Sequence, residues 1–118
     1  MLVVVDHPLI QVHISILRNH LTGTDQFRAQ LTALTRLLAF PVLQDLEILP
    51  MTVTTPLADT TGYRLDRVPV LVPVLRAGLG MVEGFRDVVP DTAVSLRQFA
   101  SHSGIWQSAI IRQIPIRV

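Results

Sequence analysis

The spacing of hydrophobic and polar positions changes along the chain, and each change marks an element. Leu2, Val3, Val4 and Val5 are apolar and mostly β-branched, and they run into Asp6, His7 and Pro8. A proline fixes its own φ and pushes the residue before it toward extended geometry, so this start predicts a short strand and a turn. From Leu9 the positions Leu9, Val12, Ile14, Ile16, Leu17 and Leu21 follow one helical face, with Thr22 and Gly23 as the stop. Thr24 or Asp25 is the expected cap of a second helix, in which Phe27, Leu31, Leu34, Leu37 and Leu38 recur at spacings of three and four and Pro41 is the expected end. Over 46–55 the pattern becomes strand-like, with Ile48, Met51 and Val53 among prolines and threonines, and 56–62 is rich in turn residues. Together these predict an extended arm or hairpin.

Residues 67–81, RVPVLVPVLRAGLGM, carry the most information. Val68, Val70, Leu71, Val72, Val74 and Leu75 form a nearly continuous apolar run, as a strand buried on both faces of a parallel sheet does. Pro69 and Pro73 cannot donate to a ladder, so the strand is an edge, starts late or carries a bulge. Arg76, Ala77, Gly78, Leu79 and Gly80 follow, and then Met81, Val82 and Phe85 at helical spacing predict a helix over 81–88. A strand, a small-residue loop and a helix N-terminus make a common anion cradle, because free N–H groups and the helix dipole point at the loop. Arg76 adds a planar donor fork suited to phosphate oxygens. The spacing alone equally allows a close-packing turn, with Arg76 as an ion-pair partner or its stem covering apolar surface.

Composition narrows the field of functions. The 118 residues are 49% hydrophobic and 16% charged with a net charge of +1, which fits one compact domain or part of one and excludes general disorder. The run at 68–75 is too short and proline-broken to cross a bilayer, which takes about 20 apolar residues. The N-terminus lacks the basic region of a secretory signal, so a cytoplasmic protein without membrane contact is expected. With no cysteine, thiolate chemistry, zinc knuckles, iron–sulfur clusters and disulfide scaffolds are excluded. All ten basic residues are arginine, so Schiff-base catalysis and a Walker A loop are excluded too. No polybasic block is present, and nucleic acid is not an expected partner.

Other candidate chemistry is weaker. His7, His13, His20 and His102 lack the tight spacing of converging zinc ligands, and no metal site is expected. Asp87 and Asp91, on either side of Pro90, read as a solvated turn and a cap after the helix at 81–88. Phe99 and Trp106 near Arg97 and Arg112 lack the alternating aromatic platform of a base-stacking surface.

Taken together, residues 1 to about 95 resemble the N-terminal half of uracil phosphoribosyltransferases. The matching pieces are Val5-Asp6-His7-Pro8-Leu9, Phe27-Arg28 followed by the helix to Phe40, Thr55-Pro56-Leu57-Ala58, Gly62-Tyr63-Arg64-Leu65 and, above all, Val72-Pro73-Val74-Leu75-Arg76-Ala77-Gly78-Leu79-Gly80-Met81. The resemblance implies an α/β chain with part of the type I phosphoribosyltransferase fold: N-terminal helices, an extended arm, the first core strand and the following helix, with the C-terminal half missing. It implies joining of uracil to 5-phosphoribosyl 1-diphosphate, giving UMP and pyrophosphate in pyrimidine salvage, with Mg²⁺ bound through the substrate. For Arg76, with the loop residues Ala77 and Gly78, it implies binding of the donor's diphosphate, and it assigns no catalytic residue and no metal ligand here. GTP as an effector and a homo-oligomer are further implications. Departure of pyrophosphate puts positive charge on the ribose and negative charge on the leaving group, so a fixed cation at this position would lower the barrier.

The resemblance ends near Ser95. Where the family continues into a Tyr-Arg-Asp/Asn-Glu segment this chain reads Ser95-Leu96-Arg97-Gln98-Phe99-Ala100-Ser101-His102, and Arg97 is out of register for that role. The Thr-Gly-Gly-Ser loop for the 5-phosphate and the Gly-Asp-Ala-Gly-Asp segment near uracil are not in this sequence, and Pro41 stands where the family usually has Glu. The expected organisation is therefore residues 1–95 as the N-terminal part of a phosphoribosyltransferase-like domain and residues 96–118 as a divergent tail. That tail is either an out-of-frame product of a frameshift or truncation or a genuine terminus. If it folds, Leu96, Phe99, Trp106 and Ile110 fall on one helical face, with Gly104 costing about 1 kcal/mol. The function expected is that of a truncated uracil phosphoribosyltransferase, inactive alone. The alternatives are a non-enzymatic remnant that dimerises with an intact copy through the arm at 46–67, and an RNA-binding regulator on the same fold.

Overall fold

The computed structural model describes residues 2–95, so the expectations for the tail at 96–118, its helix and its origin included, lie outside the described residues. The first element is not the strand expected at 2–5. Leu2, Val3 and Val4 are exposed and pair with nothing described, because β-branched side chains favour a strand only where a neighbour supplies the ladder. Helix α1, Pro8–Arg18, begins instead at the proline, which needs no N–H partner in the first turn. His7 caps it, its Nδ1 accepting from the Leu9 N–H at 3.2 Å. The helix ends before the expected Leu21, since the Asn19 side chain accepts from the Leu21 N–H at 3.0 Å and the Thr22 hydroxyl donates to the Ile16 carbonyl at 2.6 Å.

Helix α2, Thr24–Val42, has Gly23 as its N-cap, with no side-chain capping bond. Thr24 and Asp25 therefore lie inside the first turn, where Asp25 still complements the helix dipole. Pro41 does not end the helix but sits within it, one residue from its end, so the bend that its ring forces against the preceding turn has almost no helix left to redirect. The Leu43 N–H, bonded to the Ala39 carbonyl at 2.9 Å, closes the helix one step beyond.

The arm is an antiparallel hairpin of β1, Ile48–Thr54, and β2, Asp59–Leu65, in register from Ile48 opposite Leu65 to Thr54 opposite Asp59. Its turn is tighter than the expected 56–62. The Thr55 hydroxyl donates to the Ala58 carbonyl at 2.6 Å, and Thr60 and Thr61 are already paired in β2.

Strand β3, Val70–Leu71, pairs in parallel with β4, Ala93–Val94, across helix α3, Leu79–Val88. The parallel partner agrees with the doubly buried reading, while the length does not. Pro69 and Pro73, both fully buried, bracket the strand and leave only the residues between them able to donate. Helix α2 packs against α3, and Ala39, Leu71 and Phe85 form the core, flanked by Leu43, Met81 and Val82. On its other side α2 carries α1, through buried Ile10 and a hydrogen bond from His13 Nδ1 to Gln30 Oε1.

Candidate functional site

The sequence motif at 74–81 folds as one unit at the end of β3. The Gly78 N–H donates back to the Val74 carbonyl at 2.8 Å, the Leu79 N–H to the Arg76 carbonyl at 3.2 Å and the Met81 N–H to the Gly78 carbonyl at 3.2 Å. The Leu75-Arg76 peptide bond is cis. Gly78 is the N-cap of α3 in a right-handed conformation open to any residue, so its conformational freedom is not what requires glycine. The requirement is proximity. A β carbon there would stand 2.8 Å from the Val74 nitrogen and 2.9 Å from its oxygen, and backbone atoms cannot step aside. The loop is thereby folded tightly onto the strand end, and Arg76 is thrown outward.

Arg76 and Ala77 are exposed, and Arg76 has no acidic partner among the described residues. The backbone N–H groups of Arg76, Ala77 and Gly80 make no hydrogen bond with any described residue. No side chain caps α3, and with the Leu79 and Met81 donors engaged it is the Gly80 N–H that the first turn leaves open to a ligand among the described residues. Residues 74–81 contain no carboxylate, and Glu83, one turn into α3, is exposed. A guanidinium beside free N–H groups at a helix N-terminus can hold an anion with several oxygens, such as a diphosphate. Helix α3 starts two residues before the expected Met81, taking Gly80 into its first turn, where a β carbon would meet the end of the Leu31 side chain of α2.

The remaining candidates are scattered. His7 is a helix cap, His13 is bonded to Gln30, and His20 is exposed. Asp87 belongs to α3 rather than to the turn after it, and it accepts from Arg36 Nε of α2 at 2.7 Å. Asp91 lies in the loop before β4. His102, Arg97, Phe99, Trp106 and Arg112 lie outside the described residues. Sequence reasoning missed an open apolar groove of about 640 Å³ at the far end of α2, because its walls come from three separate stretches of chain, 39–46, 65–68 and 88–91. The one signal for it was Phe40, an aromatic residue beyond the helical face that builds the core.

A family model described as Uracil phosphoribosyltransferase matches residues 4–103. The uracil phosphoribosyltransferase of Malacoplasma penetrans is 38% identical over 104 residues, covering 88% of this chain and 48% of the relative. That of Corynebacterium diphtheriae is 40% identical over 106 residues, covering 86% of this chain and 50% of the relative. A solved structure of a protein from Aquifex aeolicus matches with a TM-score of 0.79 at 28% identity, over 98% of this chain and 56% of that one. The chain thus spans about half the length of the curated relatives it matches.

Proposed function

The chain belongs to the uracil phosphoribosyltransferase family, and from that premise we propose that it binds 5-phosphoribosyl 1-diphosphate through Arg76 and the loop residues Ala77 and Gly78. The reaction it would serve is transfer of the phosphoribosyl group to uracil. The bond between the anomeric carbon and the diphosphate oxygen breaks, a ring nitrogen of uracil bonds to that carbon and loses its proton, and UMP and pyrophosphate result. The observation that carries this reading is the exposed, acid-free guanidinium of Arg76 beside unbonded N–H groups at the start of α3.

As the leaving group takes on charge, Arg76 and the loop amides stabilise it from fixed positions, so little reorganisation accompanies bond breaking. Mg²⁺ carried in on the donor's phosphates would add positive charge to the same oxygens. The loop's donors are N–H groups without a carboxylate, a set that fits the diphosphate and leaves the metal to its phosphate ligands. The sequence contains neither the family's 5-phosphate loop nor its uracil segment, so these 118 residues alone are expected to bind the donor without turning it over.

A calorimetric titration with the donor and Mg²⁺, alongside an assay for UMP, tests both parts of the reading. Binding that is weakened at least about tenfold in Arg76→Ala, with no UMP formed, is the expected result; no binding by the folded chain overturns it. A second reading, association with another copy through the arm, draws support from a different observation. The hairpin leaves Met51 and Val53 exposed on one face and Ile48 and Tyr63 on the other, apolar groups suited to contact with another protein.

A further inference from the structure

Helix α3 meets α2 through two glycines one turn apart. A β carbon at Gly80 would run into the end of the Leu31 side chain, and one at Gly84 into Thr35 and the Thr32 carbonyl oxygen, with the Thr35 Cγ2 methyl at 2.9 Å. Leu31 and Thr35 are themselves one turn apart on α2, so a row of α2 lies in the groove that the glycines open in α3. The order along both helices is the same, and the ion pair of Arg36 with Asp87 extends it. The two contacts differ in what they resist. The end of Leu31 can turn aside at Gly80, whereas at Gly84 the obstacles are backbone and the fully buried Thr35, whose hydroxyl is engaged with the Leu31 carbonyl. The distance between the helices is therefore set at Gly84.

That fixed point stands one turn, a rise of about 6 Å, beyond the Gly80 N–H, which has no partner among the described residues. From there back to the strand end the chain is closed by consecutive hydrogen bonds, from the Met81 N–H to the Gly78 carbonyl, from the Leu79 N–H to the Arg76 carbonyl and from the Gly78 N–H to the Val74 carbonyl. A loop tied at both ends, to α3 and to the strand, is distorted when α3 moves. We propose that Gly84 and Thr35 are positioning residues for the anion loop: neither touches the ligand, and their contact holds the Ala77 and Gly80 donors and Arg76 where one anion reaches them together. This rests on the reading of residues 76–78 as the diphosphate site. A β carbon needs about 3.5 Å of clearance, so Gly84→Ala displaces α3 by on the order of 1 Å, and convergent donors lose distance and alignment at once.

The test compares the full chain with Gly84→Ala, Thr35→Ser and Ile10→Val. Pyrophosphate affinity is measured by calorimetry well below each Tm, and the Ala77 amide chemical shift is measured without ligand. Thr35→Ser keeps the hydroxyl bond and removes only the methyl that faces Gly84, so it keeps the test open if Gly84→Ala does not fold. Ile10→Val thins the contact of α1 with α2 and is the control for lost stability alone. Gly84→Ala is expected to bind about tenfold and Thr35→Ser about threefold more weakly, each with the Ala77 amide displaced. Ile10→Val is expected to bind within about twofold of the parent, with Ala77 unmoved, although its Tm falls. Three results would overturn the proposal: both crossing variants binding like the parent, an unmoved Ala77 amide in them, or an equal loss in Ile10→Val. A folded parent that binds no pyrophosphate would instead overturn the loop as the diphosphate site, and the Ala77 amide would then decide the positioning by itself.

Discussion

Gly84 of α3 lies so close to Thr35 of α2 that a β carbon built on it would stand 2.6 Å from Thr35 Cβ and 2.7 Å from the Thr32 carbonyl oxygen. The two helices therefore meet backbone to side chain at this point, and the fully buried Thr35 turns its hydroxyl away, donating to the Leu31 carbonyl at 2.7 Å. Gly84→Ala would gain about 1 kcal/mol in helix propensity, but overpacking costs about 1–3 kcal/mol, and a contact with backbone oxygen belongs to the upper part of that range. The expected outcome is a net loss of about 1–2 kcal/mol, read as a fall in Tm of roughly 4–8 °C. Thr35→Ser keeps the offending Cβ and should not rescue it. An unchanged Tm for Gly84→Ala would show that the helices do not cross here.

Gly78 and Gly80 separate two roles within one motif. A β carbon at Gly78 meets the Val74 backbone, whereas at Gly80 it meets only the flexible end of Leu31. Gly78→Ala is expected to push the loop off the strand end and weaken diphosphate binding at least about tenfold, the equivalent of about 1.4 kcal/mol. Gly80→Ala should bind within about twofold of the parent. Titration of pyrophosphate into both variants, with circular dichroism as the check on folding, decides it; equal losses would remove the argument from close approach.

Much of this was legible in the sequence, and the reasons for success and failure are physical. The second helix showed because Leu31, Leu34 and Leu38 repeat on one face, and the hairpin because Ile48, Met51 and Val53 stand among prolines and threonines ahead of a turn-rich stretch. The strand–loop–helix unit around Arg76 showed because a loop that must lie against a strand end needs small residues. The failures arose where tertiary context overrode local preference. Residues 2–5 have strand composition and no strand partner among the described residues, and Pro41 is tolerated because it comes too late in its helix to matter. Asp87 looked like a turn residue beside Pro90, and only the packing of α3 on α2 brings it to Arg36.

That ion pair gives a modest prediction. Arg36 and Asp87 side chains are 54% and 44% exposed, and exposed pairs couple weakly because water and salt screen them. A double-mutant cycle of Arg36→Gln and Asp87→Asn is expected to give a coupling of about 0.2–1 kcal/mol that shrinks in 1 M salt. A salt-independent coupling above about 2 kcal/mol would mean the pair is far more shielded than its exposure indicates.

The hairpin predicts association. Met51 is 43% and Val53 37% exposed on β1, and charge placed there should oppose apolar contact with another copy. Sedimentation of the parent is expected to show oligomers that Met51→Asp dissociates toward monomer without loss of secondary structure. A monomeric parent at micromolar concentration would remove the arm from the account.

The most direct test of the central claim is the affinity of folded protein for 5-phosphoribosyl 1-diphosphate, with and without the Arg76 guanidinium. A hydrogen bond to a charged group contributes about 1.5–3 kcal/mol, so Arg76→Ala should bind roughly 10- to 150-fold more weakly at an unchanged Tm. Equal affinity in the two proteins would mean that the diphosphate is held elsewhere, and the assignment of this loop as the donor site would fail.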